Sequence, residues 1–395
     1  MSDISTRTEE CIDEIVSIRR QIHKHPEIGH NEVMTSALIR QKLTEYGVDK
    51  LESPVPTAVV ALIHGSKGDG KCVALRADID ALPVQEDTGL EFASEVPNMM
   101  HACGHDMHTS MLLGVAKLLC SMRDEFAGTV KLIFQHSEDT MPGGARELVE
   151  KGVMENPHVD AVFALHVKPD EAMGKVGLRK GPMTSAVDIY EVTVDGVGGH
   201  GSEPQKTKDP ILAAAQMIVA MQQIVARRVD PMDTAVMSVG TISAGEAVNV
   251  IPSRCKFSGV SRTYDKATRE IVRNQMFDIA KGIESISGCK VNIDHCEGYP
   301  TTVNDGALVD TAREALAAEL GEDRVIELER PMGFSEDFSY YGAAGIPTMF
   351  FILFAGHGGD EIYSLHNPKC SFDEKTIPYG IRAMTSIAVE FLNGK

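Results

Sequence analysis

The chain has 395 residues, 43% hydrophobic and 24% charged, the balance of an ordinary globular protein and more length than one hydrophobic core usually serves. Lys and Arg number 38 against 57 Asp and Glu, a net charge of −19, which would repel a phosphate backbone and argues against a nucleic-acid partner. No uninterrupted apolar run approaches the ~20 residues that span a bilayer, and the first five residues lack a signal peptide's basic region and apolar core, so the expectation is a cytoplasmic chain without a membrane partner.

Helical periodicity dominates from about residue 9 to 45, and strand-like runs follow at Ala58–His64 and Cys72–Arg76. Between them, residues 65–72 approach a phosphate-binding loop, but Cys72 replaces the hydroxyl and a strand follows, so a hairpin turn is expected. Asp78 and Asp80 come next, and their alternation points both carboxylates the same way. His101, Cys103, His105, Asp106 and His108 then crowd into eight residues, with Gly104 allowing a tight fold around an ion that accepts sulfur and nitrogen.

A helix is expected at 107–122, a strand at 129–135, a helix at 144–151 and a strand at 161–167, an alternation that argues for an α/β sheet covered on both faces. His136, Ser137, Glu138 and Asp139 follow the strand at 129–135, where one carboxylate could bind metal and its neighbour act as a base. His166 closes the apolar strand 161–165.

Near Gly181 the rhythm changes to β-α-β-β-α-β: strand 187–194, helix 210–226, strands 235–242 and 254–262, helix 266–285 and strand 290–295. Asp209-Pro210 marks the first of these helices as N-cap and N1. An inserted second domain is expected over 185–299, with 1–184 and 300–395 forming a discontinuous catalytic domain. The α/β pattern resumes with helix 307–319, strand 348–354 and helix 377–392, and His366 stands just before the last helix. Eight cysteines without a CxxC pair are expected to be mostly reduced.

Taken in order, His23-Lys24-His25-Pro26-Glu27, Leu75–Pro83, Met100–His108, Phe134–Ala145, Leu165-His166, Gly198-Gly199-His200, Asn249–Pro252, Ser261–Asp265, Gly333–Ser339 and His366-Asn367-Pro368 carry a resemblance over nearly the full length. The chain resembles the M20 family of metallopeptidases, specifically its amidohydrolase branch of hippurate hydrolases, N-acyl-amino-acid deacylases and auxin-conjugate hydrolases. The resemblance implies a zinc-peptidase-like α/β catalytic domain with an inserted α+β lid or dimerisation domain.

It also implies metal ligation by Cys103, His105, Asp139, His166 and His366, with Glu138 as general base and Asp80 as an orienting carboxylate. His200 and Asn249 match positions that reach substrate, often across a dimer interface, with His200 expected at the oxyanion; Arg262 resembles a binder of the substrate carboxylate. The implied cofactor is one or two divalent ions, Mn²⁺ or Zn²⁺ with Co²⁺ or Ni²⁺ as alternatives, in a homodimer or larger homo-oligomer. The implied reaction is hydrolysis of an N-acyl or N-aroyl amino acid. A dipeptidase or carboxypeptidase uses the same constellation; the readings of another class are a metal-binding regulatory relative without hydrolysis and, weakly, a thiol redox protein built on Cys103.

The chain departs from the family pattern where His136-Ser137 precedes Glu138-Asp139 in place of Pro-Ala before Glu-Glu, and where Gln205 replaces a common histidine. Asp139 is one methylene short, about 1.5 Å of reach against a metal–ligand tolerance of about 0.2 Å. His136 adds another candidate ligand or proton carrier.

Overall fold

The computed structural model describes residues 3–359 and 362–394. The chain forms two units, Met1–Met183 with Thr302–Pro331 and Asp337–Lys395, and Thr184–Thr301 with Met332–Glu336.

The first unit is built on an eight-stranded sheet, in the order Lys50–Glu52, Val59–His64, Thr129–Gln135, Cys72–Asp78, Ala161–Ala172, Thr348–Gly356, Val176–Leu178, Val325–Glu327. The four middle strands run parallel. Cys72–Asp78 and Thr348–Gly356 are buried along their whole length, which is why they read as continuous apolar runs rather than as alternation. Helices Asp3–Lys24, His105–Ser121 and Ile377–Asn393 pack against one another, and Ile15, Ile18, Met111, Leu112, Ile381 and Met384 carry their buried contacts into the core.

Two expectations change here. Residues 65–71 do not form a hairpin: Thr129–Gln135 lies between Val59–His64 and Cys72–Asp78 and pairs with both. The connection therefore crosses the start of that middle strand, held by Gly65 N–H to Gly128 O and Gly128 N–H to Gly68 O. His166 also does not close its strand, because Ala161–Ala172 continues for six residues beyond it alongside Thr348–Gly356.

The second unit pairs its four long strands antiparallel in the order Ala235–Ala244, Arg254–Thr263, Ala186–Asp195, Lys290–Glu297. Helices Pro210–Arg227 and Lys266–Ser287 cover it, burying Met217, Met221 and Ile224, and Val272, Met276 and Ile283, on Tyr190, Val192, Val194 and Phe257. Asp209 and Asp265 cap them through main-chain N–H groups. Helix Pro210–Arg227 is, by length and composition, apolar enough to cross a membrane, which a search for unbroken apolar runs passes over because of its glutamines. One face of it is buried in this core, while Leu212 and Val219 remain exposed.

A buried charge network joins the first helix to the helix that follows Gly104. Arg19 Nε lies 2.7 Å from Asp106 Oδ2, and His23 reaches Asp106 Oδ2 through Nδ1 at 2.8 Å and Glu86 Oε1 through Nε2 at 3.2 Å. Burial opposes ionisation of Asp106, but Arg19 and His23 outweigh it and hold the carboxyl far below its usual range. Burial likewise opposes the charge on His23, which Asp106 and Glu86 reverse, raising it. Asp106 thus contributes stability that is fully present above its unfolded value of about 3.9 and is lost as pH falls toward the folded one. His23 contributes stability that is present below its unfolded value of about 6.5 and lost as pH rises through its raised value. In the metal-free protein, Asp106→Asn should lower stability to urea by about 3–5 kcal/mol, the cost of stranding a buried charge, and should flatten the acid limb of the stability profile.

Candidate metal centre

Gly104 sets the entry to the site. It takes φ 84° as the residue before helix His105–Ser121, and a Cβ there would come within 2.4 Å of Val167 Cγ2, so only glycine lets the backbone turn this closely. That turn puts Cys103 and His105 beside His166. Cys103 Sγ lies 3.4 Å from His166 Nε2 and 3.3 Å from His366 Nε2. His366, on a left-handed backbone at φ 66°, is brought in by its N–H bond to Ala102 O.

Asp139 Oδ1 is 3.6 Å from His366 Nε2, and its Oδ2 is 3.9 Å from His105 Nε2. Glu138 Oε2 stands 4.0 Å from the same His105 nitrogen. All five expected ligands and Glu138 therefore fall in one cluster of the first unit. Cys103, His105 and His166 form one set of donors within 4.8 Å of one another, and Cys103, Asp139 and His366 form another.

This donor set fits a divalent ion. Among the described residues His105 Nε2 is buried without a hydrogen-bond partner, an orientation that makes sense for a ligand, while its Nδ1 is fixed by Asp80 O at 2.9 Å and Asp80 Oδ1 at 3.2 Å. Thiol, imidazole and carboxylate together suit a borderline-soft cation.

The electrostatics of the cluster follow from burial and from the charges packed around it. Burial, reinforced by Asp139, pushes the Cys103 thiol well up; this opposes the reactive thiolate that a redox reading needs, and all eight cysteines are free. Burial opposes the charge on His105, but Asp78 and the hydrogen bond to Asp80 raise it above the usual histidine range. His166 is pushed well down by burial and by His108, and His366 is lowered by burial and His105. Asp78 is held well below its usual range: burial works against this, and His105, His108 and Arg76 win.

The remaining members of the first histidine cluster lie outside the donor sets around Cys103. His108 bonds Asp78 Oδ1 at 2.6 Å and accepts the Val167 N–H at 2.9 Å. His101 is fully buried, and burial lowers it to about 4.

In the second unit, His200 and Asn249 come together on a short ribbon in which Val250 pairs with His200 and Gly201 N–H bonds Asn249 O. Both side chains are exposed, and His200 Nδ1 accepts from the Ser202 N–H at 3.1 Å. Arg262 donates to Ser335 Oγ at 2.8 Å, and to Ser185 Oγ and Gly333 O at 3.3 Å. Among the described residues its guanidinium meets neutral acceptors and no carboxylate.

Three supporting residues escaped the sequence reading as site residues. Asp337 bonds Gln135, Arg76 and the Ala145 N–H, and its own N–H reaches Glu138 Oε1 at 3.3 Å. Arg76 was visible as a charge inside an apolar strand. Glu32 is buried, with its carboxyl raised by that burial, and accepts the Ser137 N–H at 2.8 Å, fixing Ser137 at φ 51° just before Glu138.

The family model described as Peptidase family M20/M25/M40 matches residues 74–390. The hippurate hydrolase of Campylobacter jejuni is 38% identical over 96% of this chain and 97% of its own. Thermostable carboxypeptidase 1 of Saccharolobus solfataricus is 40% identical over 97% of each. Among solved structures, the YXEP protein of Bacillus subtilis, a dinuclear metal binding peptidase from the M20 family, superposes with a TM-score of 0.84 at 35% identity, over 98% of this chain and 100% of that one.

Burial keeps the proton on the Cys103 thiol in the metal-free protein, so binding an ion through its sulfur must displace it. Affinity for Zn²⁺ should rise with pH by about tenfold per unit for each proton released. Calorimetry in buffers of different ionisation enthalpy counts those protons, and Cys103→Ser should remove one of them.

Proposed function

The chain belongs to peptidase family M20/M25/M40, and from that membership we propose that it hydrolyses the amide bond of N-acyl or N-aroyl amino acids, releasing a carboxylic acid and a free amino acid. The observation that carries this reading is the convergence of Cys103, His105, His166, His366 and Asp139 beside Glu138 around the unpartnered His105 nitrogen. These five side chains would hold one or two divalent ions, Mn²⁺ or Zn²⁺, with Cys103 common to both donor sets. A bound ion supplies Lewis acidity and a water acidic enough to attack at neutral pH.

Glu138 does the proton work. The Asp337 N–H holds its Oε1, which leaves Oε2 turned toward the ligand cluster to take a proton from the attacking water and pass it to the leaving amine. Asp80 keeps the His105 ring oriented through Nδ1. Arg262 has donors to spare beyond its neutral partners and suits a substrate carboxylate, with His200 and Asn249 as further substrate contacts.

A carboxypeptidase reading is favoured by the relative of that name at 40% identity and also needs a carboxylate binder. We place a homodimer contact on the second unit, where Leu212, Val219, Val236 and Ile242 are exposed.

The deciding experiment is a panel of acyl amino acids, aroyl amino acids and dipeptides with metal-loaded protein. The expectation is turnover of the acyl and aroyl substrates, while turnover of peptides alone would move the assignment to carboxypeptidase or dipeptidase. Glu138→Gln should keep its metal and lose about 10²–10⁴-fold in kcat, and undiminished activity would remove Glu138 from its role. Arg262→Ala should raise KM more than it lowers kcat.

A further inference from the structure

Outside the Cys103 cluster, the first unit gathers a separate set of donors from three places in the chain: His30, His136 and Glu147, one donor atom of each lying within 4.8 Å of the others. His136 Nε2 is 3.1 Å from Glu147 Oε2, near the edge of about 3.3 Å expected between two ligands of a tetrahedral ion with bonds of about 2.0 Å. The exposed His30 sits on a left-handed backbone at φ 65°, and its ring centroid is 5.3 Å from that of His136, inclined at 64°.

His136 is placed by a close approach. A Cβ on Gly144 would meet His136 O at 2.0 Å and its Nδ1 at 2.8 Å, so the ring occupies the space that glycine leaves and turns Nε2 toward Glu147. The residue is 1% exposed, yet Nδ1 has no hydrogen-bond partner among the described residues. The buried ring keeps Nε2 toward Glu147, so Nε2 is the nitrogen that would meet an ion shared with that carboxylate.

We propose that His30, His136 and Glu147 bind a divalent transition-metal ion at a site separate from the Cys103 cluster, with solvent completing the coordination. Two imidazoles and one carboxylate select Zn²⁺, Co²⁺ or Ni²⁺ over Mg²⁺ or Ca²⁺. An ion there would tie the Gly29–Asn31 turn and the first turn of Gly144–Glu150 to the residue two positions before Glu138, stiffening the loop that presents it. The inference does not depend on the Cys103 cluster being catalytic.

Equilibrium dialysis of the full chain against Zn²⁺, read by elemental analysis, tests it with His30→Gln, Glu147→Gln and Cys103→Ser. The first two positions are exposed or half-exposed, and neither variant should change the melting temperature. Wild type should hold one more Zn²⁺ than either variant, with affinity of that class falling about 100-fold or more on loss of a ligand, and excess Mg²⁺ should not displace it. Equal stoichiometry and affinity in wild type, His30→Gln and Glu147→Gln would overturn the site. Cys103→Ser should lose a different class of metal and keep the one sensitive to His30. If Cys103→Ser changes nothing, the catalytic reading fails while the His30 site stands.

Discussion

Arg76 is wholly buried in the second half of the strand Cys72–Asp78, and several side chains of the metal-binding unit are arranged to keep that charge satisfied. An unpaired guanidinium there would cost several kcal/mol. It finds Asp78 Oδ2 at 2.7 Å, Gln135 Oε1 at 2.9 Å and Asp337 Oδ1 at 2.8 Å, which link two neighbouring strands to a segment 261 residues away. Each partner then does a second thing. Asp78 bonds His108 and lies 3.8 Å from His105 Nδ1. Asp337 fixes the Ala145 N–H and offers its own to Glu138. The side chains on both flanks of the cluster are thereby positioned from one buried cation, whose own place is set by the parallel pairing of Cys72–Asp78 with Thr129–Gln135.

The alternation of helix and strand was legible because it depends on local periodicity, and the cap at Asp209 acts within a few residues of itself. The order of strands was not. Nothing local says that Thr129–Gln135 inserts between Val59–His64 and Cys72–Asp78, since this is decided by which apolar faces bury together. The same limit applies to the cluster. Cys103 and His105 announce themselves by adjacency and Asp139 by its pairing with Glu138 after a strand, while the joining of His166 and His366 to them rested on the order of short motifs. Asp337 lay inside the matching segment Gly333–Ser339 but showed no role of its own, because its partners Arg76 and Gln135 lie more than 200 residues back. His136 was visible as a candidate ligand or proton carrier, but its partner His30 carried no signal of its own, and the Gly144 contact that seats His136 is invisible without coordinates.

Asp139 shows how far backbone placement can replace a missing methylene. Its shorter side chain forfeits about 1.5 Å of reach, far more than a coordination bond tolerates. Yet its oxygens stand 3.6 Å from His366 Nε2 and 3.9 Å from His105 Nε2, within about 0.3–0.6 Å of the ~3.3 Å separation of neighbouring ligands in a tetrahedral site. Most of the deficit is therefore already absorbed. The means is the Asp139 N–H, held by Asp80 Oδ2 at 3.0 Å, while Asp80 Oδ1 holds the His105 ring. A single buried carboxylate sets both groups, so their spacing is governed by one side chain rather than by two independent loops. The remaining contraction is small enough for an ion to draw out by itself, and its cost falls on the Asp80 hydrogen bonds, because the helix and strand that carry His105 and His166 are packed into the core.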